Sequence, residues 1–240
     1  MKVLENILDT IKKDFPVKNT VRGVKATAVS SGYCGLSSTM IKACCCADED
    51  IDKYLVKSAR DLAALALSDK IHEASVGIAA MNSLLVVPAE DVKKMNAFQM
   101  MKEKGAGKNI SVIGHFPVAE DLKGVAGNLW VFEKELRPGD LPESEMSRYL
   151  PQSDIVAISG TVMINHTFES IIKMCAPKSV KIILGASAPV SKVLFDFGID
   201  YISGVSVRKT SETIKYISLG CSFRQLAKRG YIEFITLSKR

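Results

Sequence analysis

Leu4, Ile7, Leu8, Ile11 and Phe15 recur at helical spacing with Lys and Asp between them, which predicts an opening amphipathic helix that stops near Pro16. Residues 21–30 alternate and are rich in β-branched side chains, the pattern of a strand. Gly32, Tyr33, Cys34 and Gly35 supply a turn, after which residues 36–46 are expected to return as the second strand of a meander. Two stretches rich in Ala and Leu, residues 58–67 and 72–86, predict helices. The second is apolar nearly all round and therefore expected to be buried. Strands followed by helices give the first third an α+β order.

After Pro88 the pattern changes. Residues 91–104 predict a helix, and short apolar runs follow at 110–113, 129–132, 155–158, 180–184 and 199–202. Helical segments at 167–175, 189–197 and 209–219 fall among them. Short apolar strands alternating with helices imply buried parallel strands with crossovers on both faces. The expected architecture is a small α+β region over residues 1–88 and an α/β region with a mainly parallel sheet over residues 89–240.

Composition narrows the class of protein. Hydrophobic residues make up 47% and charged residues 24%, ordinary values for a folded chain that exclude a disordered one. No uncharged run exceeds 16 residues; one of that length, Ala74 to Ala89, contains Asn82 and Ser83 and is too short and too polar to span a bilayer. The first fifteen residues interleave Glu5, Asp9 and Asp14 with apolar ones, unlike a secretion signal, so a cytoplasmic location is expected. Of the six cysteines, Cys44, Cys45 and Cys46 are adjacent, a poor disulfide framework that reads as reduced thiols. The net charge of +6 is spread along the chain, without the aromatic interleaving or module that would point to nucleic acid.

Candidate chemistry collects after the predicted strands. In an open parallel sheet, ligands bind beyond the carboxyl ends of the strands, near the point where strand order reverses. The residues that follow the strands are Gly114-His115-Phe116-Pro117, Glu133, Ser159-Gly160-Thr161 leading to Asn165-His166-Thr167, and Gly185-Ala186-Ser187. Glycines admit a ligand to the backbone, hydroxyls beside a helix start suit an anion or carboxylate, and Asn165 offers a donor and an acceptor together. Glu133 follows Gly114 by 19 residues, the spacing at which adenosine-binding folds place the acid that holds ribose hydroxyls. Against a dinucleotide, the Gly114 segment is not G-x-G-x-x-G, and Pro117 lacks an N–H. A solvated strand end beside Lys134 and Glu135 is the plain reading of the same acid. His115 and His166 lie on the same edge and could ligate a metal or shuttle protons, or each simply cap a turn. Three successive cysteines in a strand point alternately to opposite faces, which suits packing better than tetrahedral ligation. No P-loop or G-x-S-x-G motif occurs.

The stretches Glu73-Ala74-Ser75-Val76-Gly77-Ile78-Ala79-Ala80-Met81-Asn82-Ser83, Val112-Ile113-Gly114-His115-Phe116-Pro117, Val131-Phe132-Glu133, Leu150-Pro151-Gln152-Ser153-Asp154, Ser159-Gly160-Thr161-Val162-Met163-Ile164-Asn165-His166-Thr167 and Gly185-Ala186-Ser187-Ala188-Pro189 together resemble the "putative heavy-metal chelation" family. The resemblance runs over nearly the whole chain. It implies an enolase-N-terminal-like domain joined to a Rossmann-like domain, and a ligand between them that would bring in Gly35 and Asn82. Ser37 and Ser83 stand where small apolar residues would be expected, and the cysteine triplet is not a feature of the resemblance. The leading expectation is a cytoplasmic protein that binds a small molecule or metal chelate, acting in heavy-metal chelation or metal-chelate metabolism. Its site would use Gly35, Asn82, Gly114, His115, Phe116, Pro117, Glu133, Ser159, Gly160, Thr161, Asn165, Thr167, Gly185 and Ser187. The alternative is an enzyme holding an adenosine-containing cofactor, a nucleotide or S-adenosylmethionine, with ribose on Glu133 and His115 as acid or base. A structural protein with an incidental cleft, and a homo-oligomer, stay open at this point.

Overall fold

The computed structural model describes residues 1–40, 51–93, 97–114, 116 and 119–239. Helix α1 (Lys2–Thr10) buries Val3, Leu4 and Ile7 and ends before Ile11, a turn earlier than the apolar spacing suggests. The expected strand over 21–30 is two strands, β1 (Asn19–Arg22) and β2 (Ala26–Ser30), because the chain turns where Gly23 N–H bonds to Ala26 C=O at 2.9 Å. Strand β3 (Cys34–Ser38) completes an antiparallel meander in the order β1-β2-β3. It includes Gly35, which the sequence assigns to the preceding turn. The cysteines 44–46 lie outside the described residues. Two helices follow, α2 (Ala59–Ala64), capped where Ser58 Oγ accepts from Asp61 N–H at 3.0 Å, and α3 (Ile71–Asn82). Nearly every side chain of α3 is buried, as its all-round apolar pattern requires.

β3 lies directly on α3. A Cβ on Gly35 would overlap the carbonyl oxygen of Ala79 and the backbone of Asn82 and Ser83, so only glycine permits the approach. The unexpected serines are accommodated there. Ser37 Oγ donates to Ser75 C=O at 2.6 Å, and Ser83 Oγ donates to Ala80 C=O at 2.7 Å while lying 2.6 Å from Ser31 Oγ.

Past Pro88 the chain makes a short turn at Ala89–Asp91 and then α4 (Ala97–Gly105), so helix begins later than the predicted 91. Lys93 is taken instead by backbone pairing, its N–H donating to Thr236 C=O at 2.8 Å. The remaining elements are β4 (Asn109–Ile113), α5 (Ala119–Leu122), β5 (Asn128–Phe132), α6 (Met146–Tyr149), β6 (Ile155–Ser159), α7 (Thr161–Ile164), α8 (Phe168–Met174), β7 (Val180–Leu184), α9 (Val193–Asp196), β8 (Tyr201–Val207), α10 (Thr210–Ser218), α11 (Phe223–Lys228) and β9 (Ile232–Ser238). They form a six-stranded sheet ordered β5-β4-β6-β7-β8-β9, parallel throughout except for β9, which runs antiparallel to β8.

Alternate residues of each strand enter different cores, which is the direct evidence that both sheet faces are covered. In β6, Ile155 and Ala157 pack with Met100, Met101 and Leu122, whereas Val156 and Ile158 pack with α1, α2 and α3. The N-terminal helices and one face of the large sheet therefore share a single apolar interior. Among the described residues no helix is long and apolar enough to cross a membrane.

Candidate functional site

From β4 the chain goes outward to β5 and then returns to β6 on the other side, so strand order reverses between β4 and β6. Gly114 ends β4 at φ +94°, a conformation that side-chain-bearing residues rarely adopt, and its N–H bonds to Phe132 C=O at 3.0 Å. A Cβ at Gly114 would stand 2.8 Å from Ser159 Cβ, so the loops leaving the two central strands touch across the reversal point. Beyond them is a cleft of about 380 Å³ lined by Gly114, Phe116, Glu133, Ser159, Gly160, Thr161, Asn165, Thr167, Gly185 and Ser187 among the residues singled out from sequence.

The hydrogen bonds in this cleft have a consistent direction. Ser159 Oγ accepts from Thr161 Oγ1 at 2.9 Å and from Thr161 N–H at 3.4 Å. Asn165 Oδ1 accepts from Thr167 Oγ1 at 2.7 Å and from Thr167 N–H at 3.2 Å. Gly185 to Ala188 form a turn closed by Ala188 N–H on Gly185 C=O at 3.0 Å. Within that turn, Ser187 Oγ accepts from the N–H of Ser38, at the end of β3, at 2.8 Å. At the β5 side, Glu133 Oε2 accepts the N–H of Lys134 at 3.0 Å, and Lys134 Nζ lies 3.8 Å from Glu143.

Several candidates are placed elsewhere. Asn82 is a joint between parts of the chain, its Nδ2 donating to Leu36 C=O at 2.9 Å and to Ala186 C=O at 3.2 Å. Gly35 is used up in the contact with α3 and does not line the cleft. His166 has φ +60°, which turns it away from Asn165 and Thr167, and its Nε2 lies 2.8 Å from the carbonyl oxygen of Ala66. It bridges to the α2 region and does not line the cleft. His115 and Pro117 lie outside the described residues. Burial pushes the Cys34 thiol up to about 12 and the Cys175 thiol up to about 11, which keeps both protonated at neutral pH. Among the described residues, no group of three His, Cys, Asp or Glu is placed to hold a metal ion.

Ala186, within the Gly185–Ser187 segment, also lines the cleft, as do Ser38, Met40, Lys134, Glu143 and Phe223, which are not singled out by sequence. Phe223 arrives with α11 from far along the chain, and nothing local to it signals that position. Ser38 and Met40 come from the meander, so their place depends on how β3 meets the loop after β7. Glu143 had a weak signal, as an acid shortly after the β5 strand end.

Fold and cleft together define an α/β protein with a mainly parallel sheet and an antiparallel meander packed beside it. The chain belongs to the family described as "Putative heavy-metal chelation": one family model of that description matches residues 96–236, and a second matches residues 4–85. An uncharacterized protein of Methanocaldococcus jannaschii is 26% identical over 192 residues, which span 76% of this chain and 74% of the relative. A crystal structure of a Desulfitobacterium hafniense protein of unknown function, from the DUF364 family, superposes with a TM-score of 0.87 at 21% identity, covering 99% of this chain and 98% of that one. A Pyrococcus horikoshii protein of the same family, also of unknown function, gives 0.83 at 18% identity with the same coverage. At these identities the two structures establish the fold alone.

Proposed function

We propose that the protein binds a small organic molecule or a metal chelate in the cleft at the carboxyl ends of β4, β5, β6 and β7. The observation that carries this reading is the meeting of loops from all four strands at the point of strand reversal, where an open sheet leaves room for a ligand. The lining supports a chelate over a bare heavy-metal ion. Its described lining is mostly hydroxyls, an amide, backbone, one ammonium and the carboxylates of Glu133 and Glu143, with the Met40 thioether as its one described soft donor, whereas soft metals favour sets of thiolate and thioether ligands. On this reading the metal arrives as cargo already held by its own chelator, the chain divides near Pro88, and it works in the cytoplasm, where its thiols stay reduced.

The test is to purify the protein without metal-affinity resin or chelator, and to combine native mass spectrometry and elemental analysis with hydrogen exchange. A retained organic mass carrying stoichiometric metal, with protection at Ser159 to Thr161 and Gly185 to Ser187, is expected. Protection confined to the opposite edge of the sheet would defeat the reading.

One observation favours a second reading, an enzyme with an adenosine-containing cofactor. Glu133 follows β5 next to β4, and the Gly114 amide is bonded to the residue before it. A carboxylate accepts from two ribose hydroxyls, while Gln replaces one acceptor with a donor. Glu133→Gln should then weaken adenosine or S-adenosylmethionine binding by about 1.5–3 kcal/mol in calorimetric titration. Absence of binding to the wild type at millimolar concentration would remove the ribose role.

A further inference from the structure

The two helices after β8 gather most of the net charge on one surface. Residues 209–231 contain five basic side chains, Lys209, Lys215, Arg224, Lys228 and Arg229, against one acid, Glu212, and so hold +4 of the net +6. All five basic residues are exposed. Arg208 and Glu233, just outside the segment, pair with each other and add nothing to the excess. The apolar side chains of the same helices face inward, where Ile214, Ile217 and Leu226 pack with Ala26, Ala28 and Ile232. With that face spent on the core, α10 and α11 turn their cations to solvent.

Residue order gives no run of alternating cations and aromatics here, but packing makes one. Tyr231 is fixed beside the start of α10 because its C=O accepts from Arg208 N–H at 2.8 Å and from Lys209 N–H at 3.2 Å. Its ring centroid lies 5.3 Å from that of Tyr216, which comes from α10 itself. Lys209 Nζ stands 5.8 Å from the centre of the Tyr231 ring, and Arg229 Cζ stands 5.1 Å from the centre of the Tyr216 ring. Cation, ring, ring and cation are thus joined in a connected row, with both rings half-buried. None of the four side chains lines the cleft at the strand ends.

We infer that this surface, through Lys209, Tyr216, Arg229 and Tyr231, binds single-stranded nucleic acid without base preference. Phosphates meet the cations, and unpaired bases stack on the rings and on the Arg229 guanidinium plane, an interaction that every base can make. A duplex keeps its bases inside and offers the rings nothing. A bilayer fits less well, because Leu219 is the large apolar side chain that residues 209–231 expose, too little to enter a lipid interface. The inference stands apart from the proposed role of the cleft and does not depend on what the cleft holds.

The test is titration of the whole protein into labelled oligouridylate, read by fluorescence anisotropy at several salt concentrations, with an RNA duplex of the same length and phosphatidylglycerol vesicles as comparisons. The single strand should bind more tightly than the duplex, and log affinity should fall against log salt with a slope of about −2 to −3.5, the range for three to five neutralised phosphates. Lys209→Ala combined with Arg229→Ala should make that slope shallower by about 1.4 and weaken binding about tenfold or more at roughly 0.1 M salt. Lys173→Ala combined with Lys178→Ala removes the same charge from exposed lysines in and after α8, and should leave both quantities nearly unchanged. Tyr216→Leu combined with Tyr231→Leu keeps apolar packing but removes the rings, so affinity should fall about tenfold with little change in slope. If the ring variant melts early, the two charge variants carry the test. Equal losses from the two charge variants would reveal a diffuse effect of net charge and overturn the inference. So would a folded ring variant that binds like the wild type, tighter binding to the duplex, preference for the vesicles, or no binding of the single strand at roughly 0.1 M salt.

Discussion

Two serine-rich regions of this protein differ in where their hydrogens go. Between the meander and α3, Ser31, Ser37, Ser75 and Ser83 are all buried. Ser37, Ser75 and Ser83 each donate to a backbone carbonyl of α3, and Ser31 reaches Ser83. That region is closed, its donors consumed by its own carbonyls. At the end of β6 and just after α7, the oxygens of Ser159 and Asn165 are occupied by Thr161 and Thr167, and among the described residues no protein acceptor takes their own hydrogens. Residue type is nearly the same in the two places, so the direction of hydrogen bonding separates a packed polar seam from a candidate site.

The comparison fails first if Gly35 belongs to the site. Its missing Cβ is required by the backbone of α3, so Gly35→Ala should destabilise the fold by about 3 kcal/mol or more in urea unfolding. A stable Gly35→Ala variant with impaired ligand binding would return Gly35 to the ligand. The closed region also contains Glu73, buried at the start of α3. Burial pushes its carboxyl up, but hydrogen bonds from Lys53 Nζ at 2.6 Å and Ser68 Oγ at 2.7 Å, with the charges of Lys53 and Lys70, outweigh this and hold it at about 2. A carboxyl depressed in the folded state stabilises above its unfolded value near 4.5 and loses that contribution as pH falls toward 2. Glu73 should account for about 2–3 kcal/mol of stability lost over that window, and Glu73→Gln should flatten the dependence of the unfolding midpoint on pH.

Smaller effects sharpen the contrast. Ser83→Ala should cost about 1–2 kcal/mol and leave ligand binding intact, because it leaves Ser31 without its hydroxyl partner. Ser159→Ala should change stability by less than about 0.5 kcal/mol and weaken binding. Equal behaviour of the two variants in melting and titration would erase the distinction. The smallest effect concerns the cysteine triplet, whose adjacency suits packing better than ligation: replacing Cys44, Cys45 and Cys46 with Ala should leave metal content by elemental analysis unchanged. Loss of a metal equivalent from the folded triple variant would refute that.

Much of this arrangement was legible in the sequence, for identifiable reasons. Buried parallel strands need near-continuous apolar runs, so β4, β6 and β7 announce themselves, and the polar residues after them fall where a parallel sheet puts its ligand edge. Strand β9 is not among the expected elements although Ile232, Phe234, Ile235 and Thr236 have strand character, because an antiparallel edge strand with Glu233 inside it and basic residues around it lacks the continuous apolar run of the buried parallel strands. Asn82 and His166 could not be placed by local pattern. Both are polar residues beside the expected cleft, and only the long-range contacts to Ala186 and Ala66 show that each joins two parts of the chain. Phe223 illustrates the converse, an ordinary aromatic on a surface helix brought to the cleft by the path of the last two helices.

The apolar interior shared by α1, α2, α3 and one face of the large sheet has a consequence for autonomy. Two family models divide the chain in sequence, yet Leu4, Leu62 and Met81 belong to one continuous apolar cluster with Val156, Ile158 and Ile183. An isolated N-terminal fragment would present that surface to water, and the remainder would lose the cover of one sheet face. The intact chain should therefore melt in one calorimetric transition, with the two matched segments behaving as a single cooperative unit.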